Sequence, residues 1–214
     1  MGPTSLPGPR RRWSDGLLDP KVQLVGVRHG ETQWSASRRH TGRTDIPLEP
    51  QGEAQAVEVG RRLGGHRFSL VICSPLRRAI RTCELAGFGE SAKLCDDLVE
   101  WDYGEMEGRT TAEIRAGLPG WDIWKDGVAG GESLAEVRER ADRVISLVRS
   151  QQGDVLAFAH AHILRVIAAR WLDLDPAFGH GLVLGPATIS ILGWERETPA
   201  IVCWNDSSVA ELGA

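Results

Sequence analysis

Cysteine is scarce in this sequence and scattered: Cys73, Cys83, Cys95 and Cys203 among 214 residues, with no C-x-x-C pair. That spacing speaks against a disulfide framework or a cysteine zinc site and fits a reducing cytoplasm. There is no run of 18 or more apolar residues, so no membrane span is expected. An excess of one charge is also lacking, and a net charge of −4 argues against a general nucleic-acid binder. No G-x-x-x-x-G-K, G-x-G-x-x-G or G-x-S-x-G pattern occurs, which removes the common nucleotide-binding and serine-hydrolase signatures. The C-x5-R spacing of cysteine phosphatases fails as well, because the position it reaches from Cys73 is Ala79; Cys73 reads as core.

What remains is an ordinary soluble composition, 42% hydrophobic and 25% charged, long enough to bury one substantial core. Residues 1–20 carry Arg10, Arg11 and Arg12 with several Pro and Gly but no apolar h-region. They read as a disordered extension and not a secretory signal, leaving 21–214 as one domain. Residues 22–27 (V-Q-L-V-G-V) read as a buried strand ending in Arg28-His29-Gly30. In open α/β sheets ligand sites gather at the carboxyl ends of parallel strands, and Gly30 lets the chain turn there. Taken alone, R-H-G reads more readily as an ordinary loop.

The loop from 31 to 50 holds Thr32, Trp34, Ser35, Arg38, Arg39, His40, Thr41, Gly42 and Arg43, a donor-rich set suited to wrapping an anion. An amphipathic helix over 52–66 comes next, then a strand over 69–73. Ser74-Pro75 predicts a helix start with Ser74 as N-cap, and of Arg77, Arg78 and Arg81 it is Arg78 that is expected to point inward. A third strand over 93–99 delivers Glu100 beside Trp101 and Tyr103. Desolvation there is expected to raise its pKa toward proton donation at neutral pH. Thr110/Glu113 and Ser133/Glu136 form capping boxes, the second opening a long amphipathic helix. Trp121 and Trp124 read as a pocket wall or as plain core. The fourth strand, 155–159, delivers His160-Ala161-His162, with Arg165 one turn into an apolar helix over 163–172. Nothing else in the chain completes a metal site around His-x-His.

As an ordered set, R-H-G-E-T, S-P-L-R-R-A-x-x-T, E-W-D-Y-G-x-x-E-G, G-G-E-S and F-A-H-x-H-x-L-R resemble the histidine phosphatase superfamily, from about residue 22 to 194. The run W-S-x-S-x-x-x-T-G-x-T-D-x-P-L with E-W-D-Y-G is most similar to its sugar-phosphate phosphatases of the sedoheptulose-1,7-bisphosphatase kind, and to bacterial mutase-like acid phosphatases. The resemblance implies an α/β class fold: one three-layer α/β/α domain with a mostly parallel sheet, phosphoglycerate mutase-like, its edge extended by late strands at 182–194 and 200–204. It implies His29 as the phosphorylated residue, Arg28, Arg78 and His160 as the phosphate grip, and Glu100 as proton donor. Arg165, Thr41, Gly42, Ser35 and His162 would touch substrate. Gly usually follows the second histidine; Ala161 stands there, and a positive φ would cost it about 1 kcal/mol.

The chemistry agrees with the resemblance. Two arginines and a protonated His160 would offer roughly three positive charges to a phosphate dianion, in place of metal. Imidazole is mostly neutral at pH 7 and so nucleophilic. The expectation is a metal- and cofactor-independent phosphatase of a small phosphorylated metabolite, a sugar phosphate or bisphosphate, without nucleic-acid or membrane partners. Its oligomeric state, including a homo-oligomer, stays open. The alternatives are a phosphoglycerate mutase, although the 108–130 segment is short and lacks a basic insert, and a weakened phosphate-binding protein motivated by Ala161.

Overall fold

Apolar residues on alternate positions of the central strands face opposite ways, and this sets the layering. In the computed structural model, which describes residues 21–207, Val155, Ala157 and Ala159 pack with one helical layer, while Leu156 and Phe158 pack with the other. A strand buried on both faces needs a helix layer on each, as in doubly wound α/β proteins. Residues 1–20, expected to be disordered, lie outside the described residues.

In chain order the elements are β1 (Leu24–Arg28), α1 (Gln33–Ala36), α2 (Pro50–Leu63), β2 (Leu70–Cys73), α3 (Arg77–Leu85), β3 (Ala92–Leu94), α4 (Thr111–Gly117), α5 (Ile123–Asp126), α6 (Leu134–Arg149), β4 (Val155–Ala159), α7 (Ala161–Trp171), β5 (Ile189–Glu195) and β6 (Thr198–Asp206). The sheet runs β3-β2-β4-β1-β5-β6. β1, β2, β3 and β4 are parallel, and β5 and β6 continue the sheet antiparallel. Helices α6 and α7 cover one face through Val137, Ala141, Val144, Ile163 and Ile167. Helices α2 and α3 cover the other through Val59, Leu63, Ala79 and Cys83.

Both expected capping boxes form, Thr110 with Glu113 at α4 and Ser133 with Glu136 at α6. Several boundaries move. The third strand ends at Leu94, and a 3-10 turn over Asp96–Leu98 takes the place of its second half. Two consecutive aspartates disfavour a strand, and Asp97 is drawn outward to Arg143 at 2.8 Å. Helix α3 begins at Arg77 with Leu76 as N-cap, not at Ser74-Pro75: the Ser74 hydroxyl meets His160 at 2.7 Å and accepts the Leu76 N–H only at 3.4 Å, and Asp45 accepts from the Arg77 N–H at 2.8 Å. Helix α7 begins two residues earlier than expected, and β5 seven residues later, after the Pro186-Ala187 turn.

Candidate active site

Register puts the two histidines side by side. Arg28 pairs with Ala159 across parallel β1 and β4, so His29 and His160 leave adjacent strands at the same height. Their ring centroids lie 5.1 Å apart. Cys73 pairs with Phe158, which places Ser74 one step below on the other side of β4.

The turn after β1 is fixed from several directions. His29 donates its N–H to Ala159 O at 3.0 Å, and Gly30 donates to Thr82 Oγ1 at 3.0 Å. Ala187, at φ 52°, donates to the carbonyls of both Arg28 and His29. A Cβ on Gly30 would overlap the carbonyl of Gly52 in α2, so only glycine lets the turn and helix meet. Nδ1 of His29 is 2.7 Å from Gly30 O. A carbonyl only accepts, so Nδ1 carries the proton and Nε2 keeps its lone pair. Burial, then the charges of Arg78 and Arg28, hold this imidazole well below its ordinary 6.5 and hence neutral.

Arg78 has no exposed surface. Its Nη atoms donate to Thr44 O at 3.0 Å, Thr41 O at 3.1 Å and Gly42 O at 2.8 Å, and its Nε donates to Nδ1 of His160 at 3.2 Å. His160 Nε2 meets Ser74 Oγ at 2.7 Å. Because Arg78 can only donate, His160 is neutral with its proton on Nε2. Burial first, then Arg78, lowers its pKa in the same direction. The expected protonated His160 is thus corrected: a fixed guanidinium beside it removes the need for, and opposes, a second cation. Arg28 donates to Leu184 O, and its buried Nε has no partner.

Glu100 is enclosed, 3% exposed, and accepts from three backbone amides: Trp101 N at 2.9 Å, His162 N at 2.9 Å and Ile163 N at 3.0 Å. Two of these are orphan donors of the first turn of α7. Burial favours the neutral acid, but hydrogen bonding from His162, side chain and backbone amide, outweighs it, and the carboxyl titrates well below 4.5. Burial holds His162 itself toward the neutral form. The expected upward shift is therefore reversed: desolvation acts, but hydrogen bonding to the carboxylate acts more strongly.

The expected substrate contacts divide. His162 and Arg165 lie at this end of α7, half-buried, with His162 beside Glu100. Gly42 does not offer its N–H, which donates to Glu107 at 2.8 Å, and a Cβ there would press on Trp101 O. Thr41 donates its hydroxyl to Arg39 O at 3.1 Å, and Ser35 is engaged in the Thr32 capping box. Two arginines of the donor-rich loop are already matched, Arg39 by Glu113 and Arg43 by Asp102. Glu107 and Arg78 clamp residues 41–44 from opposite sides, one on N–H groups and the other on carbonyls.

Three residues join the site that the sequence left without a role in it. Ser74 touches His160, the Tyr103 hydroxyl lies 2.6 Å from His162 Nδ1, and the His40 ring is 4.9 Å from that of Tyr103. Ser74 stood at a strand end and could have been found there; His40 was read only as one donor among several in the loop from 31 to 50. Trp121 and Trp124 are core, although Trp124 also faces His162 at 5.3 Å and lies under Arg165 at 4.8 Å. Ala161 is the first residue of α7 and is not among the positive-φ positions, so the feared strain is absent.

A family model described as "Histidine phosphatase superfamily (branch 1)" matches residues 24–207. An acid phosphatase of Mycobacterium tuberculosis is 41% identical over 178 residues, covering 81% of this chain and 87% of that protein. The sedoheptulose 1,7-bisphosphatase of Saccharomyces cerevisiae is 35% identical over 184 residues, 71% of this chain and 68% of that protein. Among solved structures, that of an open reading frame product of M. tuberculosis superposes with a TM-score of 0.81 at 38% identity, covering 86% of this chain and 97% of that one.

Proposed function

The chain belongs to the histidine phosphatase superfamily, and from that premise we propose that it is a metal-independent phosphomonoesterase acting through a phosphohistidine on His29, with Glu100 as proton donor. The observation that carries the reading is the His29–Gly30 hydrogen bond, which fixes the tautomer that leaves Nε2 free to attack phosphorus. Arg28, with its unpaired buried Nε, and Arg78 supply two positive charges against the two of a phosphate dianion. His160, held between Arg78 and Ser74, positions the guanidinium of Arg78.

Glu100 is ionised in the free protein, so its proton arrives with substrate. A dianion set beside a carboxylate raises that carboxylate's affinity for a proton. Glu100 then protonates the leaving oxygen and, as a carboxylate again, draws a proton from the water that hydrolyses the phosphohistidine. The substrate proposed is a small phosphorylated metabolite of sugar-phosphate type, supported by the name of the yeast relative. The alternative of a weakened binding protein loses its motive, because Ala161 sits in unstrained helix.

The test is phosphate release from a panel of phosphomonoesters in EDTA, with mass analysis of the peptide bearing residue 29 after rapid acid-free quenching. Turnover in EDTA that disappears in His29→Ala, with a transient phosphoryl adduct on that peptide, is expected. Strict dependence on added metal, or full turnover by His29→Ala, overturns the reading.

A further inference from the structure

The tautomer of His29 depends on one carbonyl, that of Gly30, which accepts from Nδ1. Glycine fixes its own backbone poorly, since without a Cβ many φ/ψ combinations are open to it. What holds the Gly30 carbonyl in place therefore lies outside the residue. The peptide that carries this carbonyl also carries the N–H of Glu31, and that N–H donates to Oε1 of Gln55 at 2.9 Å. A peptide is planar, with its C=O and N–H pointing opposite ways, so anchoring the N–H sets the direction of the carbonyl.

Gln55 is half-buried on α2, 24 positions further along the chain than Glu31. Only its carboxamide oxygen can accept from an N–H, which fixes the way the side-chain amide is turned. Gly52 lets the helix come this close, because a Cβ there would overlap the carbonyl and amide of Glu31. The Glu49 N–H holds the same contact by donating to Glu31 O at 2.9 Å. On its other side Gly30 gives its own N–H to Thr82 Oγ1 of α3 at 3.0 Å. Both peptide planes flanking the Gly30 Cα are thus pinned by side chains, one from each helix of that layer. The bonds from His29 Nδ1 to Gly30 O and from Glu31 N to Gln55 Oε1 run in one direction, and each strengthens the other through the peptide between them.

We propose that Gln55 is a positioning residue for the nucleophile: through the Gly30–Glu31 peptide it keeps the His29 ring protonated on Nδ1 and turned with Nε2 free. Its consequence for turnover rests on the phosphatase reading, whereas the ring's tautomer can be observed without any substrate.

The experiment compares the wild-type chain with Gln55→Leu and Gln55→Glu. Leucine fills a similar volume and suits a helix but accepts no hydrogen bond, while glutamate keeps an oxygen for the Glu31 N–H. Nitrogen-15 spectra of histidine-labelled protein near neutral pH separate a protonated ring nitrogen from one with a lone pair, and His29→Gln identifies the signals of residue 29. In the wild type these two signals should be well separated, as for a single Nδ1-protonated form. In Gln55→Leu they should move toward one another as the tautomers mix, and kcat should fall about tenfold with KM within about twofold. Gln55→Glu should restore the wild-type spectrum and bring kcat to within about threefold of wild type. A lowered melting temperature in Gln55→Leu with the His29 signals unmoved shows a merely structural role and overturns the proposal. So does a loss of kcat that Gln55→Glu shares in full. Mixed tautomers in Gln55→Leu, beside a wild type that forms no phosphoryl adduct on residue 29, would uphold the positioning role and overturn the phosphatase reading.

Discussion

Nε of Arg78 lies 3.2 Å from Nδ1 of His160, a donor that keeps its proton facing a ring nitrogen that must offer a lone pair. The contact makes His160 a neutral partner of Arg78 in the proposed phosphate grip and ties the guanidinium's plane to the end of β4. The same guanidinium holds the carbonyls of residues 41, 42 and 44, so one buried side chain joins strand β4, helix α3 and the loop between α1 and α2. Loss of it should be felt in stability as well as in turnover.

Arg78→Gln is accordingly expected to lower stability by about 2–4 kcal/mol, the range for breaking charged buried hydrogen bonds, and kcat by at least ~10²-fold. Arg28→Gln should lower kcat/KM comparably but cost little stability, because Arg28 makes one backbone hydrogen bond and leaves a buried Nε unpaired. Thermal melts beside steady-state kinetics for the two variants separate the roles. Equal losses of stability would contradict the assignment.

Buried imidazoles make the fold sensitive to acid. His29, His40, His160 and His162 all titrate below 6.5 in the folded chain, His40 at about 4. Between those values the unfolded chain binds protons that the folded chain refuses, so stability is full above about pH 6.5 and falls as pH drops toward 4. The slope is about 1.4 kcal/mol per pH unit for each such site inside its window. Depressed carboxylates such as Glu100 add their own loss only below about 4.5. Melting temperature measured from pH 7.5 to 4.5 should fall steeply, and His40→Gln should flatten part of that fall. A level profile across the window would refute the neutral-imidazole description.

Glu100 should take up a proton when the anion arrives. Sulfate is a useful probe because it remains a dianion with no proton of its own through this range. Calorimetric titration with sulfate near pH 5.5, in two buffers of different ionisation enthalpy, is expected to show uptake approaching about one proton, reduced in Glu100→Gln. Uptake unchanged in that variant would place the linked proton elsewhere.

Ala161→Gly tests whether the alanine is a defect or a fit. Helical backbone at the start of α7 favours alanine, so glycine is expected to cost about 0.5–1 kcal/mol and leave kcat within about twofold. A tenfold gain in turnover would restore the view that alanine displaces His160.

Local pattern along the chain was enough for the layering and for most of the elements. Runs such as 155–159, apolar at every position, permit only a strand covered on both faces, and the two capping boxes mark α4 and α6 through local hydrogen bonds that need no distant partner. The same pattern located the side chains at strand ends, since His29, His160 and Arg78 follow directly from breaker and turn chemistry. Their protonation and their partners came only with the packed fold. Glu100 looked like a desolvated acid until α7 placed two amide donors on its oxygens, and Gly42 looked like a substrate donor until Glu107 claimed its N–H. The physical reason is range: strand and helix signals act over a few residues, whereas a pKa or a free donor depends on which groups, some 60 positions away in the chain, come to rest within about 3 Å.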